Sequence, residues 1–256
     1  MSSSINTILI IGGTSGIGEA CAQRFHSIGK KVIITGRRST RLEEIKKSLS
    51  GLETYTWDIT DLPKIPEHIE TIFQSHPDID TVWINSGIQH SSSISDLSST
   101  TDEKVQNEIT TNITAPMLIA RHTIPRLVSR APKTSTFMIT SSGLAFIPVG
   151  SMFPVYCPTK AAIHSYMVGI RQALQKSNVN VIEIVPPLVE PTELGMEHKG
   201  QTSGLQPLPL EEFVEQMFEG LEGDGEGIKE VAAGSARDRV KAWREGMGPL
   251  MKQLGG

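Results

Sequence analysis

At 256 residues, with 38% hydrophobic and 20% charged side chains, the chain has an ordinary globular make-up and enough material for one large α/β domain. Its formal net charge of −4 gives no electrostatic attraction to nucleic acid, and its two cysteines, Cys21 and Cys157, have no metal-ligand spacing around them, which argues against a disulfide framework, a zinc site or any other metal. No stretch nears the ~20 apolar residues that span a bilayer, and MSSSINTILIIGG lacks the basic leader of a secretory peptide, so a cytoplasmic location without a membrane partner is expected.

Short, β-rich apolar runs alternate with longer helical patterns along the chain. Strands are predicted over 8–12 (ILIIG), 31–36 (KVIITG), 53–58 (ETYTWD), 81–85 (TVWIN), 136–141 (TFMITS) and 179–185 (VNVIEIV). Helices are predicted over 16–28, 40–50, 63–74, 103–128 and 155–175. Strand–helix units of this length need crossover connections, which make a parallel sheet covered by helices on both faces. The expected fold is therefore a doubly wound, mostly parallel, three-layered α/β sheet of the Rossmann type. Over 186–209 the periodicity gives way to PPLVEPTELGMEHKGQTSGLQPLP, with five prolines and three glycines. So long a connection inside a compact domain is read as a substrate lid over 186–210. Helical spacing resumes at 210–221, followed by a last strand in 227–234 and a final helix over 235–250.

The first strand runs into GGTSGIG, Gly12 to Gly18, and directly into a helix. Glycines permit a tight turn and a close approach of backbone to phosphate, and the helix start supplies free N–H groups and partial positive charge, which suits a dinucleotide diphosphate. The second strand ends at Gly36 followed by Arg37 and Arg38, where an NAD-binding protein of this fold usually carries an acid. Two guanidinium groups there favour the 2′-phosphate of NADP.

In PVYCPTKAAIHSY, Tyr156 and Lys160 stand four residues apart and share one helix face. A cation beside a phenol favours the phenolate, so Lys160 is expected to lower the tyrosine pKa toward the working range. Pro158 between them is tolerated if the helix begins close to Pro154–Val155.

Four motifs spread over most of the chain resemble the short-chain dehydrogenase/reductase family: GGTSGIG at 12–18, WDIT at 57–60, INSG at 84–87, and YCPTK at 156–160 preceded by ITSS at 139–142. SSGLAFIP followed by PVYCPTKAAIHSY also resembles one branch of it, the oxidoreductases encoded with bacterial lipoteichoic-acid operons. The resemblance implies cofactor contacts from Gly12, Thr14, Ser15, Gly16, Ile17 and Gly18, from Asp58 near the adenine, from Asn85 and Gly87 beneath its ribose, and from Pro186 and Val189 near the nicotinamide. It implies that Tyr156 donates the proton and Ser142, with Ser141 as its rival, holds the substrate oxygen. Lys160 would also hold the nicotinamide ribose, and Asn112 would retain a relay water.

Departures from the family pattern are Ile11 for a usual threonine, INSG for NNAG with loss of bracing side chains, and a PPLVEPT segment one residue longer than expected, which leaves the place of Thr192 open. The implied activity is NADP(H)-dependent interconversion of a carbonyl and an alcohol on a small to medium apolar substrate. Leu144, Phe146, Phe153, Met196 and His198 are expected near it. A noncatalytic NADP-binding sensor or scaffold is the rival reading, and an isomerase or cyclase a third. A homodimer or homotetramer is implied through the helices at 103–128 and 155–175.

Overall fold

The computed structural model describes residues 4–194, 206–222 and 228–253. Its main sheet contains β1 (Thr7–Ile11), β2 (Lys31–Gly36), β3 (Glu53–Thr56), β4 (Thr81–Ile84), β5 (Ser135–Thr140), β6 (Val179–Val185) and β9 (Glu230–Ala232). All neighbouring pairs are parallel, in the order β3-β2-β1-β4-β5-β6-β9. A two-stranded ribbon, β7 (Val189–Glu190) with β8 (Leu208–Pro209), lies apart from it. Helices α1 (Gly16–Ser27), α2 (Ser39–Ser48), α3 (Ile65–Ser75), α4 (Asp102–Ile109), α5 (Ala115–Val128) and α6 (Tyr156–Ala173) alternate with the strands, followed by α7 (Leu210–Glu222) and α8 (Ala236–Gln253).

The strands read as unbroken apolar runs because both faces of the sheet are covered. In β1, Ile8 and Ile10 point into a core with Cys21 and Phe25 of α1, Leu42 of α2 and Phe213 of α7. Leu9 and Ile11 point the other way, into a core with Ile69 of α3, Ile119 of α5 and Met167 of α6. This two-residue alternation separates the helices into two outer layers and makes the expected three-layered fold. Both cysteines are free and buried within helices.

Strand order reverses between β1 and β4, and the crevice beyond the carboxyl ends of the strands at such a switch point is where ligands bind in open α/β sheets. Gly12, Asn85, Ser142 and Pro186 follow β1, β4, β5 and β6 at that edge. The helix expected over 103–128 is instead interrupted by a π-helical turn at Thr110–Thr114. Pro116 has no N–H for the carbonyl of Asn112 four residues earlier, so α-helical bonding cannot continue unbroken there. The last strand is shorter than expected, Glu230–Ala232. The predicted lid is anchored on both sides by the β7–β8 ribbon, while Met196 and His198 lie outside the described residues.

Candidate active site

The glycine turn after β1 is shaped by contacts that only glycine allows. Gly12 has φ +91° and Gly16 φ +53°, a left-handed region costly for other residues. A Cβ on Gly18 would lie 2.0 Å from the Gly12 carbonyl oxygen and 2.6 Å from Asn85 Nδ2, and one on Gly12 would lie 2.7 Å from the Ser86 nitrogen. Ser15 precedes α1 without a side-chain hydrogen bond to it, so the first N–H groups of the helix are left for a ligand. A phosphate-sized anion fits this cradle.

The turn is braced from behind. Asn85 donates to the Gly12 carbonyl at 3.0 Å and accepts from Thr140 Oγ1 at 2.9 Å, and Thr140 Oγ1 in turn accepts from Trp83 Nε1 at 2.9 Å. INSG therefore keeps the brace that its departure from NNAG was expected to lose, because Asn85 alone reaches both the turn and β5. Thr140 uses its second polar group as well: its carbonyl accepts from Lys160 Nζ at 3.0 Å.

Tyr156 and Lys160 occupy the first turn and a half of α6, with Nζ 5.6 Å from the phenol ring centre. The helix begins at Tyr156, so Pro158 sits where the N–H has no intrahelical partner in any case. The expected acidification of the phenol by Lys160 is not what the geometry produces. Burial raises the Tyr156 pKa above the usual tyrosine value, with a hydrogen bond to Ser142 pulling only partly the other way. Burial likewise pushes Lys160 down to about 8, against attraction from Glu108 and Glu183. Sequence spacing revealed the cation but not the desolvation, which dominates here. The result is a tyrosine that carries its proton at neutral pH.

Ser142 both caps and faces the cleft. Its Oγ accepts from the Leu144 nitrogen at 3.1 Å, closing a 3-10 turn at Gly143–Ala145, and it meets the Tyr156 hydroxyl. Ser141, its rival, is buried, and its hydroxyl makes no hydrogen bond among the described residues. Asn112 is buried in the π turn; it accepts from the Ile88 nitrogen at 2.9 Å and donates to the Ile88 carbonyl at 2.8 Å and to Thr159 Oγ1 at 3.1 Å. A Cβ on Gly87 would lie 3.3 Å from Lys160 Nζ and 3.4 Å from Asn112 Oδ1. Gly87 thus leaves the space that the ammonium fills.

At the far end, Arg38 donates to Thr14 Oγ1 at 3.1 Å and is paired with Glu193, while Arg37 is exposed. Asp58 closes an Asx turn, accepting from the Thr60 nitrogen at 3.0 Å and from its hydroxyl at 2.7 Å. Its turn role and a place on the cleft wall coexist. One continuous cavity of about 660 Å³ is lined by the glycine turn, Ile17, Arg37, Arg38 and Asp58 at one end and by Ser142, Tyr156 and Lys160 at the other, with Asn85, Gly87, Pro186 and Val189 between. Gly18 is packed beneath its floor.

A sequence model of the short chain dehydrogenases matches residues 6–202. The chain belongs to the short-chain dehydrogenase/reductase family. It is 34% identical over 242 residues to an uncharacterized oxidoreductase, DltE, of Bacillus subtilis (strain 168), covering 93% of this chain and 92% of that protein. It is 33% identical over 195 residues to serine 3-dehydrogenase of Rhizobium radiobacter, covering 76% of each. Among solved structures, the closed form of a serine dehydrogenase complexed with NADP+ superposes with a TM-score of 0.75 at 26% identity, covering 89% of this chain and 94% of that one.

Within this family member, the longer PPLVEPT segment carries Thr192 back over the glycine turn. Thr192 donates to the Val189 carbonyl at 2.9 Å, and its side chain comes within 3.4 Å of where a Cβ on Gly16 would sit. Gln206, Ser235 and Arg239 also line the cleft. No motif marks these three: Gln206 lies near the end of the lid segment, and Ser235 and Arg239 come from beyond it. Among the described residues no cluster of three or more His, Cys, Asp or Glu could hold a metal, and no helix is long and apolar enough to cross a membrane.

Proposed function

We propose that this chain is a single-domain, cytoplasmic, NADP(H)-dependent oxidoreductase that interconverts a carbonyl and an alcohol on a small to medium substrate. The observation that carries this reading is the continuity of one cleft from an anion-shaped glycine turn to the Ser142, Tyr156 and Lys160 cluster. Gly12, Thr14, Ser15, Gly16 and Ile17 would hold the diphosphate, Arg37 and Arg38 the 2′-phosphate, Asp58, Asn85 and Gly87 the adenosine side, and Pro186 and Val189 the nicotinamide side. Bound NADPH would supply a hydride.

The protein's own part is to manage the charge that then develops on oxygen. Tyr156, protonated because it is buried, gives its proton to that oxygen as general acid. Ser142 donates a second hydrogen bond to the same oxygen and fixes its direction. The Lys160 ammonium offsets the negative charge left on the phenol oxygen, in a setting where burial strengthens such an interaction. Asn112 clamps Ile88 and so frames the slot beside Gly87 in which Lys160 lies, while its carbonyl, relieved of an α-helical donor by Pro116, is open to a relay water.

NADP over NAD is supported by the two arginines after β2 and by the NADP+ held in a similar serine dehydrogenase. Serine belongs in the substrate panel on the same ground. A homodimer or homotetramer is supported by an apolar groove between α5 and α6, lined by Met117, Ala162, Tyr166, Gly169 and Ile170. The test is NADPH consumption over a broad carbonyl panel, with the reverse reaction on serine and NADP+. Tyr156→Phe is expected to lower turnover by about 10²- to 10⁴-fold while leaving cofactor binding intact. Turnover that survives the substitution overturns the acid role, and tight cofactor binding with no wild-type turnover on any substrate favours the sensor.

A further inference from the structure

The substrate end of the cleft holds a positive charge for which carbonyl reduction has no use. Arg239 projects from the first turn of α8 onto the cleft wall beside Ser142 and Gly143. Its Nη1 lies 3.2 Å, and its Cδ 3.5 Å, from where a Cβ on Gly143 would be. Absence of a side chain at Gly143 is thus what lets the guanidinium lie against the backbone next to the reacting hydroxyl.

Arg239 is half-buried, yet it makes no ion pair or hydrogen bond with the described residues. Its helix neighbours do not share this state. Arg237 donates to the Ala232 carbonyl and Arg244 is paired with Glu230. The nearby buried acids are also committed: Glu183 to His164 and Arg171, and Glu230 to Arg171 and Arg244. Among the described residues, therefore, Arg239 balances no charge of the protein itself. Its base is firmly held, since Ala236 and Val240 pack on Val185, and Trp243 meets the rings of His164 and Phe146 at 4.4 and 6.1 Å. A fixed, partly desolvated guanidinium with no partner among the described residues is a site for an anion, and its planar fork matches a carboxylate.

We propose that Arg239 binds a carboxylate of the substrate, so that the site takes small oxo acids and the corresponding hydroxy acids, with the carbonyl on Ser142 and Tyr156 and the carboxylate a few bonds away. This deepens, and rests on, the carbonyl–alcohol reading of the cleft. The carboxylate takes no part in the electron balance: the hydride pair goes to the carbonyl carbon and the Tyr156 proton to its oxygen. Apolar walls at Leu144 and Phe153 then face the carbon chain between the two polar ends.

The test uses pyruvate, acetoacetate and levulinate, each beside its methyl ester, which removes the charge and keeps the chain. Binding is measured by calorimetry on Tyr156→Phe protein saturated with NADP+, and turnover by NADPH consumption with the wild-type enzyme. At least one acid is expected to bind about 10- to 100-fold more tightly than its ester. Arg239→Met is expected to erase that preference, and Arg239→Lys to retain part of it, with circular dichroism confirming that both fold. Equal binding of acid and ester, binding of neither, or a preference that persists in Arg239→Met overturns the proposal. The two levels fail separately. Neutral ketones turned over without regard to Arg239 sink the carboxylate site and leave the oxidoreductase, whereas Arg239-dependent acid binding with no turnover of any panel member keeps the anion site and sinks the reductase reading.

Discussion

Replacing Lys160 with methionine tests whether the buried ammonium is held at a cost to the fold. Lys160 Nζ is bonded to the Thr140 carbonyl at 3.0 Å, and Glu108 and Glu183 act on it only by attraction through space. Desolvation therefore wins, and its pKa falls from 10.5 to about 8. The unfolded chain keeps the proton up to its ordinary lysine value, while the folded chain releases it near 8. Stability contributed by this group consequently rises with pH between those two values. At about 1.36 kcal/mol per pH unit the whole penalty is ~3 kcal/mol at neutral pH, of which about 2 kcal/mol is recovered between about pH 7.5 and about pH 9.5. Urea unfolding of wild type and Lys160→Met at both pH values isolates the effect, since burial holds Cys21 and Tyr156 protonated across this range in both folded proteins, so that their contributions cancel. Wild type should gain about 2 kcal/mol relative to the variant on going to the higher pH. Parallel stabilities at both pH values, or a relative loss by wild type, would refute the desolvation argument.

Gly18→Ala puts a methyl group 2.0 Å from the Gly12 carbonyl oxygen, so the turn must open; a loss of about 2–3 kcal/mol in urea unfolding and of NADP+ binding in a fluorescence titration is expected. An unchanged affinity would mean that the turn does not cradle the cofactor. Arg37→Ala removes an exposed guanidinium and should weaken NADP+ binding by about tenfold while leaving NAD+ binding and stability unaltered. Equal effects on both cofactors would deny it the 2′-phosphate. Asn112→Ala strips three hydrogen bonds from buried or part-buried partners and should cost about 2–4 kcal/mol together with a fall in kcat, read by urea unfolding and steady-state kinetics. A stability loss without any change in kcat would reduce Asn112 to a strut.

Much of this architecture is legible in local sequence because its strands are buried on both faces and the turn after its first strand is made of glycine. ILIIG followed by GGTSGIG encodes a strand, a tight turn and a helix start in eleven consecutive residues. The Tyr156 and Lys160 spacing likewise follows from one helical period. What stayed hidden depends on groups brought together from distant segments. The π turn at Thr110–Thr114 needs Pro116 on one side and the Ile88 backbone on the other, and an apolar pattern over 103–128 reports only a helical period. The sequence points the tyrosine pKa the wrong way because a neighbouring cation is visible in it and burial is not. Arg239 lies in ARDRVKAWREG among other charges, and only its docking against Gly143 distinguishes it.

The two halves of the cleft are mechanically one object, and Thr140 is the reason. Its hydroxyl lies in the run from Trp83 through Asn85 to the Gly12 carbonyl, and its own carbonyl receives Lys160. The last residue of β5 thereby fixes the glycine turn through one polar group and the lysine through the other. Parallel register makes this possible, since β1, β4 and β5 end side by side and present their last backbone groups to the same crevice. Each group in the run is satisfied by its neighbours, and a satisfied buried network is stiff because loosening one member leaves others unpaired. On the proposed reading, the cofactor at Gly12 and the proton donor one helical turn from Lys160 are then held in fixed relation by shared hydrogen bonds. Hydride and proton delivery to a single carbonyl requires that relation, because both must reach adjacent atoms of a bond only ~1.2 Å long.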